Sequence, residues 1–176
     1  MSQNRATADI LLAAAFLALA VIWAVVIYSF SSQDSDESAS LSGEVAQVIA
    51  DTLESDDSSS DIEHIIRKTA HFLEYGVFGS LMFASTAFFL KWRGRKPYLA
   101  IIASTLAAII YAASDEYHQT FVPGRSGEVK DVLIDTSGAL AASAFICLIL
   151  RLRERKSTVS TQEQEDAGCT QSSESR

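Results

Sequence analysis

The chain has 176 residues, with 22 Asp and Glu against 14 Lys and Arg, a formal charge of −8, and 48% hydrophobic residues. The negative charge is concentrated in residues 31–66, which argues against nucleic acid as a partner and against docking on an anionic lipid surface. The two cysteines, Cys147 and Cys169, show no C-x-x-C spacing, and no P-loop or G-x-G-x-x-G motif occurs.

In chain order, residues 1–9 form a short N-terminus whose only base is Arg5, and the first apolar run follows over 10–30, Ile10 to Phe30. The run is longer than the apolar part of a signal peptide, and no A-x-A-like cleavage site follows near Tyr28 to Ser32, so it reads as a retained anchor. Residues 31–66 form an acidic segment carrying Asp34, Asp36, Glu37, Asp51, Glu54, Asp56, Asp57 and Asp61. Within it Leu41, Val45, Val48, Ile49 and Leu53 recur at helical spacing. That is the pattern of an amphipathic helix on the membrane or over a site, and a solvated spacer with one nascent helix is the plainer alternative. Asp56 to Ser60 reads as a flexible hinge, and S-x-x-E from Ser60 to Glu63 is a capping box that starts the next helix.

Residues 67–150 hold three further apolar runs, Thr69 to Leu90, Pro97 to Ala113 and Val132 to Leu150. They predict transmembrane helices at about 69–90, 97–114 and 132–150, each of the length that crosses a bilayer. The expected fold is therefore all-α, a four-helix transmembrane bundle in the cell membrane. Residues 151–176, rich in Ser, Thr, Gln and Glu beyond Ser157, read as a disordered tail.

Lys91, Arg93, Arg95 and Lys96 flank one end of the runs, as do Arg151, Arg153, Arg155 and Lys156. The positive-inside rule puts that end in the cytoplasm together with both termini. Neither cysteine is then expected in a structural disulfide. Arg67, Lys68 and Arg125 are basic residues on the opposite, outer side, against the general trend.

Three polar motifs meet at that outer side: R-K-T-A-H-F-L-E-Y from Arg67, S-D-E-Y-H-Q from Ser114, and D-V-L-I-D-T-S-G from Asp131. Ionisable groups at the edge of hydrocarbon are costly unless paired, so their convergence suggests a polar pocket opening to the outer leaflet between helices two, three and four. In a helix, Lys68, His71 and Tyr75 share one stripe, with Glu74 one position off it. Asp115 reaches His118 or Gln119 within one turn, and a carboxylate beside an imidazole suits a general base or a metal ligand. The F-V-P-G-R-S-G turn from Phe121 can offer backbone N–H groups and Arg125 to an anion. Asp131 and Asp135 share a face, and Asp135 lies deep enough to need a partner such as Arg125, Lys68 or His71. Gly138 continues that face and permits a close helix approach. Each feature also has a bland reading: snorkelling bases, a helix cap, an ordinary turn, an interhelical network.

The ordered patterns K-x-x-H-F-x-E-Y, S-D-E-x-H-Q-x-F-x-P-G-R and D-x-x-x-D-x-x-G resemble the VanZ-like family of bacterial membrane proteins, over about Arg67 to Leu150. The resemblance puts the family's polar signature on Lys68, His71, Glu74, Asp115, Glu116, His118, Gln119, Pro123, Gly124, Arg125, Asp131 and Asp135. Members often carry Asn where Asp135 stands. The founding member is linked to resistance to the lipoglycopeptide teicoplanin, so the resemblance implies a cell-envelope role with a bearing on antibiotic resistance.

Two classes of function follow. One is an enzyme acting on a lipid-linked or amphiphilic anionic envelope component, with membrane lipids as its surroundings. His71, Glu74, Asp115 and His118 form its catalytic set. Arg67, Lys68, Glu116, Gln119, Arg125, Asp131 and Asp135 bind substrate. A divalent metal on His71, Glu74, Asp115, His118 and Asp131 is a variant of that class, with no sequence pattern to support it. The other class is a non-catalytic binding or structural protein in which the cluster ties helices together.

Overall fold

A computed structural model of the chain describes residues 3–33, 59–96, 98–123, 125 and 127–174, with side chains undescribed at 59–61, 63–64 and 156–174. The amphipathic pattern from Leu41 to Leu53 and most of the Asp56–Ser60 hinge lie outside the described residues, as do Gly124 and the side chains of Ser60, Glu63 and Cys169. Among the described residues there are four helices: α1 Gln3–Ser31, α2 Ser59–Trp92, α3 Leu99–Gln119 and α4 Val129–Glu174. Each contains a segment long and apolar enough to cross a membrane. The chain is a multi-span membrane protein, and those helices imply contact with lipid.

The helices outrun the apolar runs at the polar motifs. α3 continues past Ala113 to take in Asp115, Glu116, His118 and Gln119, and α4 begins at Val129, ahead of Asp131. Backbone hydrogen bonds close within a helix whatever the side chain, so the polar residues extend the elements instead of ending them. Beyond the last apolar run α4 continues as helix through Glu174. From Arg151 to Asp166 the chain is rich in Arg, Lys, Glu and Gln and has no proline. These are good helix formers, and extending an existing helix avoids the cost of a new nucleus.

The helices alternate in direction, and α2 packs against each of the other three. Small or polar residues are prominent in the interior, where Ala108, Ala112, Ala139, Ser104 and Ser143 are fully buried alongside the larger Tyr75, Phe83 and Ile27. Many other large apolar side chains point outward, as with Leu11 at 64%, Ile110 at 71% and Leu133 at 65% exposure. That arrangement suits an apolar solvent, where close backbone approach and interhelical hydrogen bonds add to the packing of the core. α2 and α4 approach closest at two glycines. A Cβ on Gly79 would lie 2.6 Å from Ala139 Cα, and one on Gly138 would run into the Phe72 backbone. Nearby, Ser143 Oγ donates to Gly79 O at 3.2 Å.

The alternation brings the C-terminal ends of α1 and α3 together with the N-terminal halves of α2 and α4. At the opposite end Lys91 Nζ donates to Asp9 Oδ1 at 2.8 Å, joining the start of α1 to the end of α2.

Candidate functional site

On α2, Lys68 and His71 are one turn apart and both face α4, where Asp131 and Asp135 are also one turn apart. Lys68 Nζ donates to Asp131 Oδ1 at 3.0 Å, with both side chains partly exposed. One turn deeper, His71 Nδ1 lies 3.7 Å from Asp135 Oδ1. That separation is too long for a hydrogen bond. Asp135 is fully buried, and neither of its oxygens has a hydrogen-bond partner among the described residues. The geometry that brings these rows together is the glycine contact one turn further in, where Gly138 lets α4 lie against the backbone of Phe72.

The end of α3 faces α1 as well as α4. Gln119 Nε2 donates to Asp115 Oδ2 at 3.3 Å and to Ser31 Oγ of α1 at 3.0 Å. Gln119 thereby links Ser31 of α1 to Asp115. Of the two partners open to Asp115 in the sequence, the hydrogen bond goes to Gln119. His118 turns to α1 instead: its Nε2 shares a 3.1 Å hydrogen bond with the Tyr28 hydroxyl, and the two rings sit 4.6 Å apart. Asp115 acts on His118 only through its charge. Glu116 accepts a 2.8 Å hydrogen bond from the Glu128 backbone N–H, which fastens the turn before α4. Gly127 makes that turn possible, because a Cβ there would collide with the Glu116 carbonyl.

Arg125 is partly buried in the same turn, and its charge acts on both His71 and Glu74. Arg67 is exposed, and its charge also acts on His71. Asp115 acts on His71, Glu74 and Asp135 alike. The residues singled out in the three motifs therefore gather at one end of the bundle, between α2, α3 and α4. Five of them are carboxylates, Glu74, Asp115, Glu116, Asp131 and Asp135. Three are permanent cations, Arg67, Lys68 and Arg125, and two are imidazoles.

Seven buried polar atoms in this cluster have no hydrogen-bond partner among the described residues: His71 Nδ1, the Tyr75 hydroxyl, Asp115 Oδ1, Glu116 Oε1, His118 Nδ1 and both oxygens of Asp135. Native proteins rarely leave buried polar groups unmatched, and a group of them in one place calls for an explanation. Among the described residues, no three His, Cys, Asp or Glu side chains are placed to hold a common metal ion.

The first helix supplies partners that the sequence reading did not assign to the site. Besides Tyr28 and Ser31, Trp23 Nε1 donates to the Glu74 carbonyl at 2.9 Å, and the Tyr111 hydroxyl of α3 donates to the Ala24 carbonyl of α1. Tyr28 reads in sequence as an interfacial aromatic. The available signal was its i, i+3 spacing to Ser31 on one face at the polar end of the run.

A family model described as VanZ/LLP1 matches residues 16–151. The chain belongs to the VanZ/LLP1 family. The match reaches beyond the three motifs into most of α1, so Trp23, Tyr28 and Ser31 fall within the VanZ/LLP1 region, whereas Asp9 lies outside it. Nothing among curated proteins or solved structures matches the chain.

Proposed function

We propose that this VanZ/LLP1 member acts on a lipid-linked or amphiphilic anionic component of the cell envelope, from a polar pocket at the outer face of the membrane. The observation that carries the reading is the set of seven unmatched buried atoms on residues from α2, α3 and α4. A cluster whose only task was to tie helices together has no reason to keep so many groups desolvated and unpaired, since each costs about 1–3 kcal/mol. Groups with open hydrogen-bonding capacity are what a substrate needs.

In this reading Arg125 and Arg67, whose charges both act on His71, hold the anionic head. His71, which faces Asp135 and feels both arginines, is one acid–base group. His118 is the other, with Tyr28 orienting its ring. Asp115, Glu74 and Glu116 supply compensating negative charge. The outward orientation rests on the basic residues Lys91, Arg93, Arg95 and Lys96 at the far end, together with Arg151, Arg153 and Arg155. A Ser114→Cys variant at the polar end should react with a membrane-impermeant maleimide in intact cells, and Arg95→Cys should not. The reverse pattern would overturn the orientation.

The second reading is a non-catalytic interhelical network that affects surface access to glycopeptides. It is favoured by the two hydrogen bonds of Gln119, to Ser31 and to Asp115, which tie α3 to α1. Asp115→Asn separates the two. Reconstituted wild type and variant, at matched abundance, are incubated with envelope lipid extract, and the products are read by mass spectrometry. Conversion of an anionic lipid by wild type alone, with both proteins equally folded, supports the enzyme. Identical lipid profiles with a lowered unfolding temperature for the variant would leave only the network. Teicoplanin susceptibility of a sensitive host expressing each form then tells whether this chemistry bears on resistance.

A further inference from the structure

A groove of about 490 Å³ runs along the membrane-facing side of the bundle where α1 stands away from α3. Its rim is Leu17, Val21 and Val25 of α1, and Phe78, Met82 and Tyr111 line the rest. The rim residues are open to the surroundings, with Val21 57% and Val25 60% exposed, while Phe78 is buried at 6%. Two tyrosines also line it, and both hydroxyls are already used: Tyr111 donates to the Ala24 carbonyl, and Tyr28 is bonded to His118. The groove therefore offers hydrocarbon and ring faces with no spare donor.

Its length and its upper end identify the occupant. Leu17 and Tyr28 are eleven positions apart on one helix, a rise of about 16 Å. That is about half of the ~30 Å hydrocarbon thickness of a bilayer, the depth of a single leaflet. Beyond Leu17, Phe16 stacks on Phe88 of α2 with ring centroids 5.8 Å apart, so α1 and α2 are in contact there. At the other end the groove finishes at Tyr28, whose hydroxyl touches His118 in the polar cluster. One molecule can thus lie with a chain in the groove and a polar head at the cluster.

We infer that this groove seats one hydrocarbon chain of an anionic membrane lipid with a phosphate monoester head, and that the head lies at the Tyr28–His118 end. This rests on the proposed action on an anionic amphiphile and gives that substrate a lateral route in from the leaflet, along α1. Affinity comes from the chain in a preformed apolar slot, and selection comes from the head.

The test uses the full chain reconstituted in vesicles containing a trace of phosphatidic acid with a diazirine in its acyl chain, and a parallel set with phosphatidylcholine carrying the same chain. Val21→Trp and Val25→Trp fill the groove. Ile22→Trp, also exposed at 61% but not lining the groove, is the control. The expected result is labelling of peptides spanning Leu17–Tyr28 and Phe78–Met82, several-fold stronger with phosphatidic acid than with phosphatidylcholine. Labelling falls at least fivefold in both groove variants and is unchanged in Ile22→Trp. Equal labelling by the two lipids would overturn the inference, because it describes ordinary bilayer lipid. Undiminished labelling in the groove variants would also overturn it. If those variants converted envelope lipid as wild type does, the groove would fall and the reading of the polar cluster would stand. Loss of conversion in Asp115→Asn with normal groove labelling would support both.

Discussion

Both ends of the bundle carry buried acids, and they treat them differently. At the Asp9 end, one carboxylate meets one ammonium at 2.8 Å, and Lys91 keeps 63% of its side chain exposed while sitting over the Phe88 ring. A single oxygen, Asp9 Oδ2, is left over. At the other end five carboxylates share space with three permanent cations and two imidazoles, and seven buried atoms go unmatched among the described residues. The first arrangement is a tether between α1 and α2 that uses the minimum of charged groups. The second carries more desolvated polarity than its own pairings resolve, which is how binding sites differ from structural contacts in stability.

The comparison can be broken most severely at the glycine that brings the crowded end together. Gly138→Leu should cost at least the ~3 kcal/mol upper end of overpacking, because its side chain meets the Phe72 backbone, which has no room to yield. Loss of the monodisperse peak in detergent size-exclusion would register it. A sharper contrast comes from neutralising one acid at each end. Asp135→Asn keeps the shape and replaces a buried carboxyl whose oxygens have no hydrogen-bond partner among the described residues, so stability should rise by about 1 kcal/mol. Thermal unfolding in detergent reads the sign, and a fall of similar size would show that Asp135 is structural. Asp9→Asn should instead destabilise, by about 0.5–1 kcal/mol, since Lys91 is largely solvated. The same melt checks it, and raised salt should shrink the difference. The smallest effect is expected from Tyr28→Phe, about 0.5 kcal/mol for one half-exposed hydrogen bond. In a double-mutant cycle with His118→Ala that cost should vanish.

Much of this was legible from spacing alone. Long apolar runs gave the number of spans, and spacing put Lys68 and His71 on one helical stripe and Asp131 and Asp135 on another, with the partner of Asp135 left open among Arg125, Lys68 and His71. Gly138 was readable as a contact point because a small residue on that face has few other uses inside a membrane. What spacing could not give is which face meets which across 51 to 90 residues of chain. Trp23 finds a carbonyl beside Glu74, Tyr28 finds His118, and Asp9 finds Lys91. An almost uniformly apolar α1 has no periodicity to betray the side it presents. Asp115 illustrates a finer limit. Residues three and four ahead are both within reach in a helix, and the choice of Gln119 depended on Ser31 arriving from α1.

The way α1 is fastened has a consequence for reading any variant. Trp23 is received by the main-chain oxygen of Glu74, Tyr111 by that of Ala24, and Ser85 by that of Ala13. A main-chain acceptor survives replacement of its side chain, so the receiving positions are free to mutate without loosening the helix. Glu74→Gln leaves the Trp23 hydrogen bond in place. Whatever that variant changes is then a report on the carboxylate itself, cleanly separated from the attachment of the helix.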